Sequence, residues 1–341
     1  MSSPSSASPG PRPPGAPRAF DLVVVGDCNP DLVITGSDVT PAFGQAEKLV
    51  DNMSLMIGGS AAITAVAAAR LGLRVALIAA VGDDPAGDLM LSLLEGQGVD
   101  TRAVLVRPEL PTGMTAVLSA GADRAILTAV GAMTSLSAAD VPPLQARHLH
   151  VSSYFLLERS LGPGLADLLA AARGRGLTTS LDTNYDPAGR WGDRFLRAAL
   201  AETDVFLPNE VEALGISGEP DVAKAAAALC GMGVRSLVTK LGARGALCGT
   251  GPLVSVPAVE PADTTGAGDC FNAGLIAGLL DGLELPSAVA LGCAVGALST
   301  AAVGGTGTVV DRAAAEALAV RATVMRDPSA TRGDKADPTL A

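Results

Sequence analysis

An acidic residue beside two closely spaced glycines is the strongest chemical signal in this sequence. Residues 263–271 read DTTGAGDCF and stand between an apolar run predicted to be a strand and one predicted to be a helix. The first amides of a helix lack intrahelical partners and carry the positive end of its dipole. Because Gly266 and Gly268 have no side chains to block those amides, the segment predicts an anion-binding site. Asp269 could then accept a proton from a substrate hydroxyl while the amides hold a transferring phosphoryl group.

A polar pair at the end of the first predicted strand is the second candidate site. Residues 21–26 are an apolar run typical of a buried parallel strand, and Asn29 and Asp31 follow it two positions apart. Ligands of open α/β sheets bind at the carboxyl ends of strands. An amide that donates and accepts, beside a carboxylate that accepts, suits a polyhydroxyl substrate. The alternative is a loop in which both side chains form Asx turns.

Adjacent glycines mark the start of the first predicted helix. Gly58 and Gly59 precede an alanine-rich segment that is predicted to end at Gly72, a suitable C-cap. Glycines at this position let the backbone approach a ligand, or they let the helix pack closely on the sheet. Both interpretations stay open at this point.

A third group of residues could contact a bound nucleotide. Asn209 and Glu212 follow a later strand at a spacing that puts them on one side of an opening helical turn. They could orient water around Mg²⁺ or contact phosphate oxygens, although an N-cap asparagine with a first-turn glutamate is a strong structural alternative. Lys240 ends another predicted strand and could reach a phosphate as a point charge.

Composition narrows the class of protein. The chain has 341 residues, 48% of them hydrophobic, and a net charge of −11, which argues against nucleic acid or an anionic membrane as a partner. Five cysteines without a C-x-x-C motif favour reduced thiols in a cytoplasmic protein over disulfides or a zinc site. His148 and His150 are the only histidines and alternate along a predicted strand, so a structural role is favoured over a catalytic triad.

Alternating strands and helices from residue 149 onward, of which the first is a strand over residues 149–155 with Tyr154 near its end, predict a parallel, three-layer α/β sheet. Earlier strands are predicted over residues 74–81, 104–106, 112–118 and 125–130, with a hairpin turn at residues 121–123. Residues 1–18 and 326–341 are predicted to be disordered or flexible tails, and residues 1–18 lack the apolar region of a secretory signal. No apolar run is long enough to span a bilayer.

Residues 263–271 resemble the C-terminal signature of the ribokinase (PfkB) family of sugar and nucleoside kinases. Further matches follow in the family's order: N-x-D after the first strand, paired glycines before the first helix, N-x-x-E, and G-x-x-G after Lys240. The resemblance covers residues 20–325. It implies a three-layer α/β/α ribokinase-like fold with a mostly parallel central sheet, as one kinase domain over residues 19–325. It also implies a small β lid from roughly residues 32–56 and 104–130.

The resemblance also implies an activity, the phosphorylation of a sugar or nucleoside hydroxyl by Mg·ATP. The catalytic residues it implies are Asp269 with Gly266, Ala267 and Gly268, and the acceptor-binding residues are Asn29, Asp31, Gly58, Gly59 and Tyr154. It places Asn184 at the active-site rim with the nucleotide-binding residues Asn209, Lys240, Gly242 and Gly245. Glu212 would support Mg²⁺ through water, and Asp263 and Thr265 are candidates for binding K⁺. Relatives often form homodimers through their lids.

One departure from the family pattern bears on the acceptor. Ile63 stands where many members carry a sugar-binding asparagine, which suggests a different or less polar acceptor face. Ile63 and Tyr154 together leave a nucleoside kinase open as the alternative to a sugar kinase. A non-catalytic binding or regulatory protein on the same fold is a second alternative, and the intact Asp269 and its glycines argue against it.

Overall fold

Apolar runs become buried strands, and the segments between them become helices, over the residues that the computed structural model describes (19–120, 123–143 and 145–326). The strands are β1 (Phe20–Val25), β2 (Asn29–Thr35), β3 (Asn52–Gly58), β4 (Val75–Ile78), β5 (Ala80–Gly82), β6 (Val99–Asp100), β7 (Leu105–Arg107), β8 (Met114–Ala120), β9 (Asp123–Ala129), β10 (Ala146–Val151), β11 (Thr178–Leu181), β12 (Val205–Phe206), β13 (Ser236–Lys240), β14 (Ala246–Cys248), β15 (Leu253–Ser255) and β16 (Thr323–Met325). The helices are α1 (Ser60–Arg70), α2 (Pro85–Gly96), α3 (Tyr154–Leu157), α4 (Gly162–Gly174), α5 (Arg194–Ala201), α6 (Glu210–Ser217), α7 (Val222–Gly231), α8 (Ala267–Leu280), α9 (Leu285–Ser299) and α10 (Arg312–Ala319).

The central sheet has ten strands in the order β16-β15-β14-β13-β12-β11-β10-β1-β4-β6. Every neighbouring pair from β13 to β6 is parallel, and the pairs from β13 to β16 are antiparallel. Parallel neighbours have their carboxyl ends at the same edge of a sheet, which is where open α/β proteins bind ligands. The mostly parallel sheet predicted from the sequence is confirmed.

Helices cover both faces of this sheet, because its strands are apolar on both sides. Leu22 and Val24 of β1 join an apolar cluster with α1, α8 and α9, whereas Val23 and Val25 join a cluster with α4, α5 and α7. Successive side chains of a strand point to opposite faces, so these two clusters are the two interfaces of a three-layer α/β/α fold. Helix α8, which carries the glycine-rich signature at its start, is buried between the sheet and α9.

A second sheet of four strands has the order β3-β2-β8-β9 and corresponds to most of the predicted lid. Its two faces differ in chemistry. By register, one face carries Asn29, Asp31, Thr115, Arg124 and Thr128. The other face carries Leu32, Ile34, Met53, Leu55, Met114 and Leu127, of which Met53, Leu55, Met114 and Leu127 are exposed.

Three sequence predictions are corrected by the strand pairing. The strand predicted over residues 74–81 is interrupted at Ala79, whose carbonyl accepts a hydrogen bond from the amide of Leu105 at 2.8 Å. Strand β5 therefore leaves the central sheet and pairs with β7, so residues 104–106, predicted for the lid, belong to a separate two-stranded sheet. The strand predicted to contain Tyr154 ends at Val151, because Ser153 is left-handed (φ 58°) and starts α3 instead.

Some predictions concern residues that the structure does not describe. The predicted tails, apart from Arg326, and the turn residues Gly121 and Ala122 lie outside the described residues. Within the described ranges, no helix has both the length and the hydropathy needed to cross a bilayer. The five cysteines all lie in the described ranges, and none of them is paired in a disulfide there.

Candidate active site

The turn before α8 is shaped by its glycines. Gly266 is left-handed (φ 71°), and a Cβ there would lie 2.5 Å from the Cα of Gly305. The amide of Ala267, predicted to bind an anion, donates to the carbonyl of Thr264 at 3.3 Å. The amides of Gly268 and Asp269 lie in the first turn, where a helix offers no acceptor of its own. These two amides are therefore the better candidates for holding an anion.

A lysine ammonium faces this turn. Nζ of Lys240, at the end of β13, lies 3.6 Å from the place that a Cβ on Gly268 would occupy. That distance is an ordinary van der Waals contact, so the ammonium lies against the start of α8. An anion bound there would meet the amides, the helix dipole and the positive charge of Lys240.

Asp269 lies in the first turn of α8 and is only 7% exposed. Burial raises the pKa of its carboxyl well above the usual range, and the nearby charge of Asp182 raises it further. Lys240 and the hydroxyl of Ser60 act on that pKa in the opposite direction. A carboxylate with a raised pKa is a stronger base than an ordinary aspartate, which suits the removal of a proton from a substrate hydroxyl.

Asp182 and Asn272 hold Lys240 in place. Asp182 directly follows β11 and accepts a hydrogen bond from Nζ of Lys240 and another, at 2.6 Å, from Nδ2 of Asn272. Burial raises the pKa of Asp182, but the charge and hydrogen bond of Lys240 outweigh it, so the pKa lies below the usual value. Asp182 also accepts from the amide of Asn184 at 3.2 Å, which fixes the start of the following loop. Asn272 was missed, although it lies one turn after Asp269 on an otherwise apolar helix.

Asn209 and Glu212 form the capping box that sequence analysis gave as the structural alternative. The side chain of Asn209 accepts from the amide of Glu212 at 2.9 Å, and Glu212 accepts from the backbone and side-chain nitrogens of Asn209 at 2.9 and 2.6 Å. Burial, followed by the charge of Asp182, raises the pKa of Glu212 to about 7. The backbone of Asn209 bridges to Lys240, so the capping box stands beside the lysine.

Three carboxyls lie near the single ammonium of Lys240. The carboxyls of Asp182, Glu212 and Asp269 all act on the pKa of its ammonium, which they raise against the effect of burial. Among the described residues, no three side chains of histidine, cysteine or acid type are close enough to ligate a metal directly. This arrangement fits a hydrated divalent cation such as Mg²⁺, which retains several waters and needs few protein ligands.

Asn29 and Asp31 lie on one face of the second sheet, at the start of its strand β2, rather than at the end of the first strand of the central sheet, where the sequence placed them. Nδ2 of Asn29 donates to Oδ1 of Asp31 and to the hydroxyl of Thr115, both at 3.0 Å. Burial raises the pKa of Asp31 to about 7, and the charge of Asp27 contributes to the rise. The same charge raises the pKa of Asp269, which places the polar pair and the candidate base in one electrostatic environment.

Gly58 and Gly59 permit this arrangement. A Cβ on Gly58 would lie 1.9 Å from Oδ1 of Asp31, and one on Gly59 would lie 2.9 Å from the carbonyl oxygen of Asp27. Gly59 is also left-handed, with a φ of 84°. The carboxylate of Asp31 thus takes the space that a side chain at position 58 would need.

We expect Gly58→Ala to displace Asp31 and to lower acceptor affinity by about 10-fold or more, with a loss of about 1–3 kcal/mol in the free energy of unfolding from overpacking. Gly96→Ala is the matched control, because a Cβ at Gly96 meets no atom within 4 Å. That control should be as stable as the wild type or slightly more so. Acceptor titrations and urea unfolding measure both effects, and unchanged acceptor affinity in Gly58→Ala would contradict the role given to Asp31.

Asp27 is a site residue that sequence analysis missed. Its carboxylate accepts from the amides of Ser60 and Ala61 at 3.1 and 2.9 Å and so caps α1 from a distant loop. Asn184, predicted at the rim, donates to the hydroxyl of Ser60 at 2.6 Å and accepts from the amide of Ser153 at 3.0 Å. Ser60 thereby links Asp27, Asn184 and Asp269, and no local pattern in the sequence could have indicated this link.

Tyr154 is not part of the pocket, contrary to the prediction. Its side chain is fully buried in the apolar cluster with α4 and α5, and its hydroxyl donates to Asp193 at 2.7 Å. Ile63 is also buried, and its side-chain atoms approach the backbones of Gly266 and Gly305. Ile63 therefore packs against the turn before α8.

The remaining predicted residues lie in two loops. Asp263 accepts from the amide and hydroxyl of Thr265 at 2.9 and 2.8 Å and from the amide of Gly304 at 2.8 Å. Gly242 and Gly245 belong to the turn after Lys240, and both are left-handed. A Cβ on Gly245 would lie 2.1 Å from the carbonyl oxygen of Val254, whereas Gly242 faces open space. Gly245 is therefore required for packing, and Gly242 is the more accessible of the two.

The histidines are structural. His148 and His150 are fully buried and lie two positions apart on β10. Both form a hydrogen bond with the hydroxyl of Ser180 at 2.7 Å. Burial lowers the pKa of His148 to about 3 and that of His150 to about 4, so both imidazoles are neutral near pH 7.

Comparisons with known proteins agree with this geometry. A family model described as pfkB family carbohydrate kinase matches residues 19–312. Ribokinase of Haemophilus influenzae is 30% identical over 304 residues, which cover 85% of this chain and 95% of that protein. Fructokinase of Vibrio cholerae O395, solved with fructose, ADP and a calcium ion, is 28% identical with a TM-score of 0.75, covering 87% of this chain and 98% of that one. A putative ribokinase II from E. coli, solved with ATP and Mg²⁺, is 25% identical with a TM-score of 0.74, covering 88% of this chain and 99% of that one.

These matches extend over nearly all of the described residues, and they confirm the resemblance that residues 263–271 indicated. The solved relatives share the α/β/α architecture of the central sheet, so the predicted ribokinase-like fold is confirmed as well. The chain belongs to the pfkB family of carbohydrate kinases.

Proposed function

We propose that this protein transfers the γ-phosphoryl group of ATP to a hydroxyl group of a sugar or sugar derivative, with Asp269 as the general base. The observation that carries the proposal is the position of Asp269. Its carboxyl is buried in the first turn of α8, beside amides that can hold an anion, and the charge of Asp27 acts both on this carboxyl and on Asp31 of the polar pair that can hold hydroxyl groups. Few other reactions need a base, an anion site and a polyol site together.

Each group then has a distinct task. Asn29 and Asp31 bind acceptor hydroxyls, and the backbone at Gly58 and Gly59 lies against the acceptor. Asp269 accepts the proton of the attacking hydroxyl. The amides of Gly268 and Asp269 stabilise the negative charge of the phosphoryl group, with Gly266 and Ala267 shaping the turn that presents them.

Mg·ATP supplies the phosphoryl group and a divalent charge that neutralises its oxygens. Lys240 would contact phosphate oxygens, and Asn209, Gly242, Gly245 and Asn184 would line the nucleotide. Glu212 would hold Mg²⁺ through water, since its oxygens already accept hydrogen bonds from Asn209. Asp263 and Thr265 would hold a K⁺ ion beside the turn before α8.

The acceptor is the open part of the proposal. A nucleoside was an alternative because Ile63 and Tyr154 could have formed an apolar acceptor face. Tyr154 lies in the core and Ile63 lies under the α8 turn, so that argument loses its support. The carboxyls of Asp27, Asp31 and Asp269 favour an acceptor that is rich in hydroxyl groups and carries no negative charge.

A coupled ADP-release assay over pentoses, hexoses, sugar acids and nucleosides tests the proposal, with and without K⁺. We expect transfer to at least one neutral sugar, confirmed by mass spectrometry of the phosphorylated product. ATP binding without transfer to any acceptor in the panel would favour the non-catalytic alternative. Transfer to nucleosides alone would favour the nucleoside kinase.

The face of the second sheet that carries Met53, Leu55 and Leu127 supports a homodimer in which two such faces pack together. Met53, Leu55 and Leu127 are 56%, 48% and 63% exposed there, and water contact with so many large apolar side chains on one sheet face is unfavourable. We further place the protein in the cytoplasm, where ATP is available and its five thiols stay reduced.

A further inference from the structure

Arg124 connects the second sheet to the turn before α8. It lies on β9, the edge strand of that sheet, more than a hundred residues before the turn. Its Nη1 donates to the hydroxyls of Thr264 and Thr265, both at 3.2 Å, and lies 4.0 Å from Oδ1 of Asp263. No motif in the sequence singled out this arginine.

Arg124 and Lys240 differ in how deeply their ion pairs are buried. Nζ of Lys240 is bound to Asp182, and its side chain is 12% exposed. The side chain of Arg124 is 38% exposed, and its Nη1 pairs with Asp263 at 4.0 Å while it donates to the hydroxyls of Thr264 and Thr265. A guanidinium presents a planar set of five N–H donors that matches phosphate oxygens better than a lysine ammonium does.

Arg124 also shares a sheet face with the acceptor-binding pair. Nδ2 of Asn29 donates to the hydroxyl of Thr115 at 3.0 Å, and that hydroxyl bonds to Thr128 of β9 at 3.1 Å. Arg124 and Thr128 are four positions apart on β9, so their side chains point to the same face. The sheet that would hold the acceptor therefore carries a cation to the edge of the anion site.

We propose that Arg124 is a catalytic residue, which contacts the transferring phosphoryl group and stabilises its charge in the transition state. The inference rests on the kinase function proposed above and adds to it a cation that the second sheet supplies. Because that cation and the acceptor-binding residues are carried by the same sheet, binding of the acceptor and completion of the phosphoryl site are linked.

The test is a comparison of wild type with Arg124→Gln, Arg124→Lys and the control Arg102→Gln, whose side chain is 82% exposed and lies in the turn between β6 and β7. We expect Arg124→Gln to lower kcat by about 10²–10³-fold, with ADP affinity within a few-fold of wild type. Arg124→Lys should lose less, and Arg102→Gln should match wild type. Added guanidinium should restore part of the activity of Arg124→Gln, whereas tetramethylammonium should not.

A transition-state mimic separates a catalytic role from a structural one. With acceptor present, the affinity of Arg124→Gln for ADP with aluminium fluoride should fall by a factor similar to its loss in kcat, at an unchanged melting temperature. A kcat within twofold of wild type, or a lowered kcat with undiminished binding of the mimic, would overturn the assignment. Failure of wild type to phosphorylate any acceptor would instead overturn the kinase function itself.

Discussion

Asp269→Asn is expected to lower kcat by about 10²–10³-fold or more, while the affinity for Mg·ATP stays within a few-fold of wild type. The change keeps the shape of the side chain and removes its ability to take a proton. The amides at the start of α8 and the charge of Lys240 remain, so nucleotide binding should persist. Steady-state kinetics with the best acceptor from the panel, together with calorimetric titration of Mg·ATP, measure both quantities.

Asp281→Asn is the matched control for this experiment. Asp281 follows the opposite end of the same helix and pairs with Arg312 on the surface, far from the turn before α8. Its kcat should equal that of wild type. Wild-type turnover in Asp269→Asn would show that another group accepts the proton.

Lys240→Met is expected to have the largest effect on stability, a loss of about 3–5 kcal/mol in the free energy of unfolding. The side chains of Lys240 and Asp182 are only 12% and 2% exposed. Removing the ammonium would leave the carboxylate of Asp182 buried without its cation, with Asn272 as its main remaining partner. Urea or guanidinium unfolding of the purified variants measures the loss.

Two further variants test the cause of that loss. Asp182→Asn added to Lys240→Met removes the unpaired charge and should recover at least half of the lost stability. Arg244→Ala breaks the exposed ion pair of Arg244 with Glu210, whose side chains are 60% and 38% exposed, and should change stability by less than about 1 kcal/mol. Equal losses in the free energy of unfolding for Lys240→Met and Arg244→Ala would mean that burial of the Lys240–Asp182 pair does not determine its contribution to stability.

The candidate residues at the centre of the proposed site were chosen from local chemistry in the sequence. The availability of amides at a helix start depends on a few neighbouring residues, so Gly266, Gly268 and Asp269 could be assigned from one short segment. The same holds for Asn29 and Asp31, which follow directly after an apolar strand. The capping box of Asn209 and Glu212 is equally local, and the structure forms it as the pattern indicates.

Residues that act over long distances in the chain could not be predicted in this way. Asp27 caps a helix that begins 33 positions later, and Asp182 meets Lys240 across 58 positions. Such pairs are created by the order of strands in the sheet, which composition and periodicity do not specify. Tyr154 was misplaced for a different reason, since a single left-handed residue, Ser153, ends the strand and turns the ring into the core.

A crystal structure of the protein with ADP, aluminium fluoride and its acceptor tests the central claim most directly. The account predicts that the fluoride ligands accept hydrogen bonds from the amides of Gly268 and Asp269. It also predicts that the attacking hydroxyl lies within hydrogen-bond distance of the carboxylate of Asp269, with other hydroxyls on Asn29 and Asp31. An acceptor bound away from Asp269, or a fluoride group that makes no contact with the start of α8, would contradict it.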